Sequence, residues 1–209
     1  MKSILLALVS YVCMGAAAFG AGQPDQDVIA AVEKHYSGLT NLAARVVQKN
    51  YYKSMDKTQK FDGQLWIEKP GRLRLDYSNG QVILVNGKDA LFYSRKSAQV
   101  IKKTFTDFHH MNIPVAFLLG AGHIRDDFDI LTPDPAKPRV LELVPKRTGA
   151  SMKKMRLVAD GSGRIADLTI IDKSGNTTEL DFTDVREGIE IDKSLFSFQP
   201  PKGTEIIEQ

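Results

Sequence analysis

The sequence predicts a mainly β fold with some helix: a half-open antiparallel β-barrel of about ten or eleven strands, with a helical lid over an apolar cavity. Three observations predict it. The first is the stretch Gly63 to Tyr77, GQLWIEKPGRLRLDY. Leu65 and Ile67 fall on one side of a short strand, and Gln64, Trp66 and Glu68 on the other. After Lys69-Pro70-Gly71, residues Leu73, Leu75 and Tyr77 alternate with Arg72, Arg74 and Asp76. A period of two with one apolar side marks antiparallel sheet buried on one face. The second is punctuation. Pro70-Gly71, Asn79-Gly80 and Asn86-Gly87 separate short strands, which therefore form a meander and not βαβ units. The third is a shortage of helix, since two helical segments are too few to fill a wide sheet. The apolar face still needs cover, by a second sheet, by closure into a barrel or by helices packed inside. A strongly curved sheet with helices across its mouth meets that need and leaves room for a cavity.

The chain has 209 residues and opens like an export signal. Lys2 supplies the charge, Ile4 to Met14 is mostly apolar, and Gly15 to Ala21 is rich in small residues. Ala16-Ala17-Ala18 and Ala18-Phe19-Gly20 both suit a signal peptidase. The expected division is residues 1–20 as a removed signal and 21–209 as one domain. The apolar run is shorter than the ~20 residues that span a bilayer. The single cysteine, Cys13, lies inside it and follows Val12, where a lipoprotein would place a small residue. Cys13 is therefore read as part of the signal, and the mature chain as free of thiol chemistry. The 28 basic and 25 acidic residues give a net charge of +3, too balanced for a nucleic-acid-binding face.

Asp25 or Asp27 can cap a first helix that runs to about Ser37, with Val28, Ala31, Val32, His35 and Tyr36 at helical spacing and Gly38 ending it. Strand pattern follows from Ala43 to about Tyr52, then a polar turn from Met55 to Gln59. Short strands are expected at Lys60 to Ile67, Arg72 to Tyr77, Gln81 to Val85, Ala90 to Tyr93 and Gln99 to Lys103. Thr104 to Gly122 breaks the meander. Asn112 can cap a short helix, Pro114 suits its first turn, and Val115-Ala116-Phe117-Leu118-Leu119 is apolar on all sides. Such a helix must be covered on both sides or must itself cover something. Strands resume at Phe128 to Leu131, Val140 to Val144, Met155 to Val158, Ile165 to Asp172 and Thr177 to Val185. Leu195 to Phe198 alternates again before Pro200-Pro201 and can close an edge.

Lys69 shares the parity of Leu65 and Ile67, so an extended strand would aim its ammonium at the apolar side. Two readings stay open. It snorkels to water from a strand end, or it reaches backbone carbonyls of an element lying over the sheet and acts as a latch. No catalytic constellation emerges, and the chain is not read as an enzyme. His109-His110 are neighbours that a strand would point to opposite faces, and His35 and His123 are isolated, so no metal site is assigned. Asp126-Asp127-Phe128-Asp129 lacks the spacing of a calcium loop and reads as an exposed acidic turn. Asp160-Gly161-Ser162-Gly163 reads as a hairpin turn, since no helix follows to make it a phosphate loop. Met152 and Met155 with Lys153 and Lys154 could meet an anionic surface, with a solvated strand start as the default.

With these segments in order, the chain resembles the periplasmic outer-membrane lipoprotein carrier family, LolA, over nearly all of its mature length. Ala43 to Gln48 is similar to the family's first strand with its glutamine. Gly63 to Pro70 resembles a Gly-x-Leu-Trp-x-x-Arg-Pro segment. Asn86-Gly87-Lys88 with Leu91-Phe92-Tyr93 is similar to an Asp-Gly-Lys, Leu-Trp-x-Tyr pair. Pro114 to Leu119 falls where the family has its lid helix, and Phe196-x-Phe-x-Pro-Pro-x-Gly203 resembles its ending.

The resemblance implies a half-open barrel with a helical lid that binds lipoprotein acyl chains without a cofactor. Its partners would be an inner-membrane ABC lipoprotein-release complex and an outer-membrane LolB-like receptor, and the carrier would be a periplasmic monomer. It implies Leu65, Ile67, Leu73, Leu75 and Tyr77 as the concave face and Val115, Phe117 and Leu118 as its cover. It also implies Lys69 as the lid latch, standing where the family has an arginine. Lysine lacks the arginine fork, so a weaker closed state is expected. A generic periplasmic lipid or hydrophobic-ligand binder, or a lipid-sensing protein, is the alternative.

Overall fold

The computed structural model describes residues 24–105, 124–131, 137, 139–147 and 150–208. Helix α1 (Pro24–Gly38) leads into a long hairpin, β1 (Asn41–Tyr52) and β2 (Lys57–Glu68), turned by a single 3-10 turn at Lys53–Met55. A meander follows: β3 (Arg72–Tyr77), β4 (Gln81–Asn86), β5 (Asp89–Ser94) and β6 (Gln99–Thr104). The second half is a short helix α2 (Ile124–Asp127), then β7 (Phe128–Leu131), β8 (Val140–Pro145), β9 (Met152–Ala159), β10 (Ile165–Asp172) and β11 (Thr177–Glu187). A 3-10 turn at Lys193–Phe196 and a last strand β12 (Glu205–Glu208) end the chain. The twelve described strands form one sheet, ordered β12-β6-β5-β4-β3-β2-β1-β11-β10-β9-β8-β7. Its edge strands β12 and β7 do not pair with each other, so the sheet stays open.

The alternation read from the sequence sets the register. Leu42, Ala44 and Val46 stand opposite Ile67, Leu65 and Gly63, and Leu65 and Ile67 in turn face Leu75 and Leu73. Those two face Ile83 and Val85. In the other half Leu157 faces Leu168 and Met155 faces Ile170. One face of the sheet is thus an apolar band, and α1 lies on it with Ile29, Val32 and Tyr36 buried in the same cluster. Ile124 and Phe128 join that cluster from the far edge.

The opposite face carries its own smaller cover. Leu84, Val100 and Phe196 are buried but lie outside the main cluster. The C-terminal segment crosses there. Arg74 Nη1 donates to the Leu195 carbonyl at 2.9 Å, and the Phe198 ring meets Tyr93 at 5.1 Å between centroids.

Several expected boundaries move. Asp25 and Asp27 lie inside α1 (Pro24–Gly38), so neither precedes it as a cap. β2 begins at Lys57, and the polar stretch expected as a turn already pairs with β1, Gln59 opposite Asn50. Leu195 to Phe198 closes no edge. Asp192 caps a 3-10 turn there, its carboxylate accepting from Ser194 N, and the edge strand is β12, which runs parallel to β6. Asp126 and Asp127 belong to α2 and Phe128 and Asp129 to β7, so this stretch is no acidic turn. The segment expected to form the lid helix, with Val115, Phe117 and Leu118, lies outside the described residues, as do Cys13, His109, His110 and His123.

Candidate functional site

The apolar face divides along the strands. Near the start of β1 it is roofed by α1. Toward the β1–β2 turn the roof ends, and a cavity of about 530 Å³ opens between the two halves of the sheet. Leu75, Ile83 and Phe92 line it from the first half, and Met152, Ile170 and Leu180 from the second. One wall is polar. Gln48, Asn50 and Tyr52 continue the parity of Leu42, Ala44 and Val46, so β1 presents an apolar start and a polar end on the same face. These side chains satisfy one another. The Tyr77 hydroxyl donates to Gln48 Oε1, Gln48 Nε2 donates to Asn50 Oδ1 at 2.9 Å, and Asn50 Nδ2 donates to the Tyr52 hydroxyl at 3.4 Å. Burial pushes the Tyr77 hydroxyl pKa up, so it remains a donor at neutral pH. Its ring lies edge-on to Phe61 at 5.9 Å. Gly63 makes that packing possible, because a Cβ there would sit 3.1 Å from both the Tyr77 ring and the Leu75 side chain.

The roof is held at the C-terminal end of α1. Lys69, just past the end of β2, donates from Nζ to the backbone carbonyl of Tyr36. Its own N–H donates to the Thr40 carbonyl at 2.8 Å. Partial burial pulls the Lys69 pKa down, and the carbonyl answers the ammonium that burial disfavours. On the far side the Tyr36 hydroxyl accepts from Ile165 N–H at 3.2 Å. Burial raises its pKa to about 12. His35 Nε2 lies 3.0 Å from Glu187 Oε1, which also accepts from Arg164 Nε at 2.9 Å. Burial alone would raise the Glu187 pKa, but the hydrogen bonds from Arg164 and His35 hold it below the ordinary carboxylate value. The Asp160–Gly163 turn presses against the middle of the helix. A Cβ on Gly163 would lie 2.3 Å from the Ala31 carbonyl oxygen.

Leu65, Ile67, Leu73, Leu75 and Tyr77 all lie on the interior face and are buried. They do not share one surface. Leu75 and Tyr77 line the open cavity, Leu65 and Ile67 border a small recess beside Tyr36, and Leu73 packs in the core. Lys69 meets α1. Met152 and Met155 are buried toward the interior, and Lys154 pairs with Glu142 at 3.1 Å, so of that motif Lys153 alone is a fully exposed cation. Sequence reasoning missed Gln48, Asn50 and Tyr52 as cavity residues, although their parity with Ala44 and Val46 carried the signal. It also missed the His35–Glu187 contact, which joins residues 152 positions apart. Trp66 is half-buried on the outer face, opposite Ala43 and Arg74.

Among the described residues no group of three or more His, Cys, Asp or Glu side chains could hold a metal ion. An open, mostly antiparallel sheet with a largely apolar cavity beyond the end of its roofing helix is an architecture for holding an apolar ligand. A family model described as outer membrane lipoprotein carrier protein LolA matches residues 37–199, and the chain belongs to that family. It is similar to the outer-membrane lipoprotein carrier protein of Pseudomonas aeruginosa, with 29% identity over 97% of this chain and 99% of the relative. The corresponding protein of Alkalilimnicola ehrlichii is 27% identical over 86% of this chain and 83% of its own length. A crystal structure of an uncharacterized conserved protein from Thermus thermophilus shares the fold, with a TM-score of 0.51 and 14% identity over 90% of this chain and all of that one.

Proposed function

We propose that this protein carries lipoproteins across the periplasm by sheltering their acyl chains in the cavity, and that it takes them from an inner-membrane release complex and yields them to an outer-membrane receptor. The observation that carries the reading is the apolar hollow bordered by Leu75, Ile83, Phe92, Ile170 and Leu180, in a chain of the LolA family. The physical need is plain. Each methylene buried gains about 0.8 kcal/mol, so one long acyl chain costs on the order of 10 kcal/mol exposed in water. Unaided crossing of an aqueous compartment is negligible at that cost. A carrier must cover most of the chain and still release it. A cover whose closed state competes with the ligand does both, because closing offsets part of the cost of expulsion. In this reading α1 and the segment with Val115, Phe117 and Leu118 form the cover, and Lys69 is its tether. The Lys69–Tyr36 contact supports that role. Residues 1–20 act as the export signal, and no cofactor takes part.

A photocrosslinking residue at Ile83 tests the reading. It should capture the acyl moiety of a lipoprotein in cells that export one. Absence of any acyl adduct, with the variant folded, would count against it.

A further inference from the structure

The antiparallel order puts the β1–β2, β3–β4, β5–β6 and β10–β11 turns at one end of the sheet, the end where the cavity opens. That rim is basic. Lys53 and Lys57 flank the hairpin tip, Lys173 occupies the β10–β11 turn, and Lys153 follows the cavity residue Met152. The four are exposed, and among the described residues none has a carboxylate within ion-pair distance. The turns are in contact. Lys53 N–H donates to Asn176 Oδ1 at 3.1 Å, and its side chain lies so close over Gly175 that a Cβ there would meet Lys53 Cδ at 2.7 Å. Lys173 N–H donates to the Ser151 carbonyl at 2.9 Å. Two carboxylates also lie here, Asp56 accepting from the Tyr51 hydroxyl and Asp172 from Asn176, and the four lysines outnumber them. The other hairpin lysines are neutralised, Lys49 by Glu179 and Asp181 and Lys60 by Asp62. At the centre of the tip Met55 stands 61% exposed, with Tyr51 beside it.

We propose that this rim docks the cavity mouth on an anionic lipid surface, with the lysines over the headgroups and Met55 entering between them. The chemistry favours lipid over an acidic protein. A flexible apolar side chain at a turn apex, ringed by unpaired ammonium groups, matches a soft surface that is charged outside and apolar beneath. A protein face would need fixed complementary carboxylates. The geometry also serves transfer, in a way that rests on the acyl-cavity reading: a mouth held at the membrane surface shortens the path of a chain handed over by the release complex. Each lysine near such a surface strengthens association by roughly fivefold, and salt weakens it.

Vesicle flotation tests the proposal. The purified protein should float with vesicles of equimolar phosphatidylcholine and phosphatidylglycerol at low salt, and not with phosphatidylcholine alone. K53E/K57E/K173E should weaken that association by more than about a hundredfold, the loss of three lysines alone, and M55S should weaken it at unchanged salt dependence. Failure of the wild type to float with the anionic vesicles would overturn the proposal. So would equal binding by the charge-reversed variant, or a loss of lipoprotein transfer in that variant with vesicle binding intact, the result an acidic protein partner would give. Uptake of a dansylated long-chain fatty acid is measured in parallel. The rim variants should take it up as the wild type does. No uptake by the wild type would sink the acyl-cavity reading while the flotation result stood on its own.

Discussion

Gly163→Ala probes how α1 is seated. Gly163 closes the Asp160–Gly163 turn with φ +85, its N–H donating to the Asp160 carbonyl at 3.2 Å. An alanine there incurs two costs. The left-handed backbone costs an L-residue about 1–2 kcal/mol. The new methyl would also lie 2.3 Å from the Ala31 carbonyl oxygen and 2.5 Å from its carbon. Backbone cannot swing aside as a side chain can, so α1 must rise from the sheet or the turn must open. Either movement strains the Tyr36–Ile165 hydrogen bond and the His35–Glu187 contact. Overpacking of this kind costs about 1–3 kcal/mol, for a total of about 2–5 kcal/mol. Gly188→Ala is the matched control, since Gly188 has φ +62 and nothing within 4 Å of a Cβ. It should lose only the backbone cost. Urea unfolding would show the difference as a lower midpoint at constant slope. If Gly163→Ala is no less stable than Gly188→Ala, α1 does not press on that turn and the account of the roof is wrong.

Lys69→Leu should cost about 1–2 kcal/mol of stability, the worth of a charge-assisted hydrogen bond less the relief of an unburied ammonium. In a transfer assay the variant should retain lipoprotein and pass on less; unchanged transfer would remove the tether. Acid should loosen the α1 anchor. Because the folded Glu187 pKa is depressed, its contribution is present above the unfolded carboxylate range and is lost as pH falls through the lower folded value. Glu187→Gln should therefore shallow the acid limb of a stability-pH curve, and an identical limb would contradict the Arg164 and His35 contacts. Tyr36 works in the opposite direction. With its pKa raised to about 12, its contribution is complete below about pH 10 and is lost as pH climbs to the folded value. Tyr36→Phe should flatten the stability loss in that window, measured by thermal unfolding.

Most of the sheet was legible because its signal is local. Alternation in Leu73-Arg74-Leu75-Asp76-Tyr77 states which side chains face inward, and Asn79-Gly80 and Asn86-Gly87 state where the chain reverses. β12 was illegible: Glu205-Ile206-Ile207-Glu208 is short, flanked by charge and pairs in parallel with a strand a hundred residues earlier. The misread Leu195 to Phe198 shows that alternation alone is ambiguous. A 3-10 turn capped by Asp192 places Phe196 and Phe198 against the outer face as a strand would have placed them along an edge. The cavity was legible only in half. Parity puts Gln48 and Asn50 inside with Val46, but nothing local says that the roof ends before them. Lys69 was the one charge whose parity announced a partner; that the partner is the Tyr36 carbonyl depends on where α1 lies, which is a tertiary fact.

What the hollow holds in the cell decides the matter. The protein should be isolated from exporting cells under mild conditions and its bound material identified by mass spectrometry. Triacylated peptides are the predicted occupants, and their yield should fall when Leu75 and Ile83 are replaced by charged residues. Recovery of free lipids alone, or of no amphiphile at all, would contradict a lipoprotein carrier.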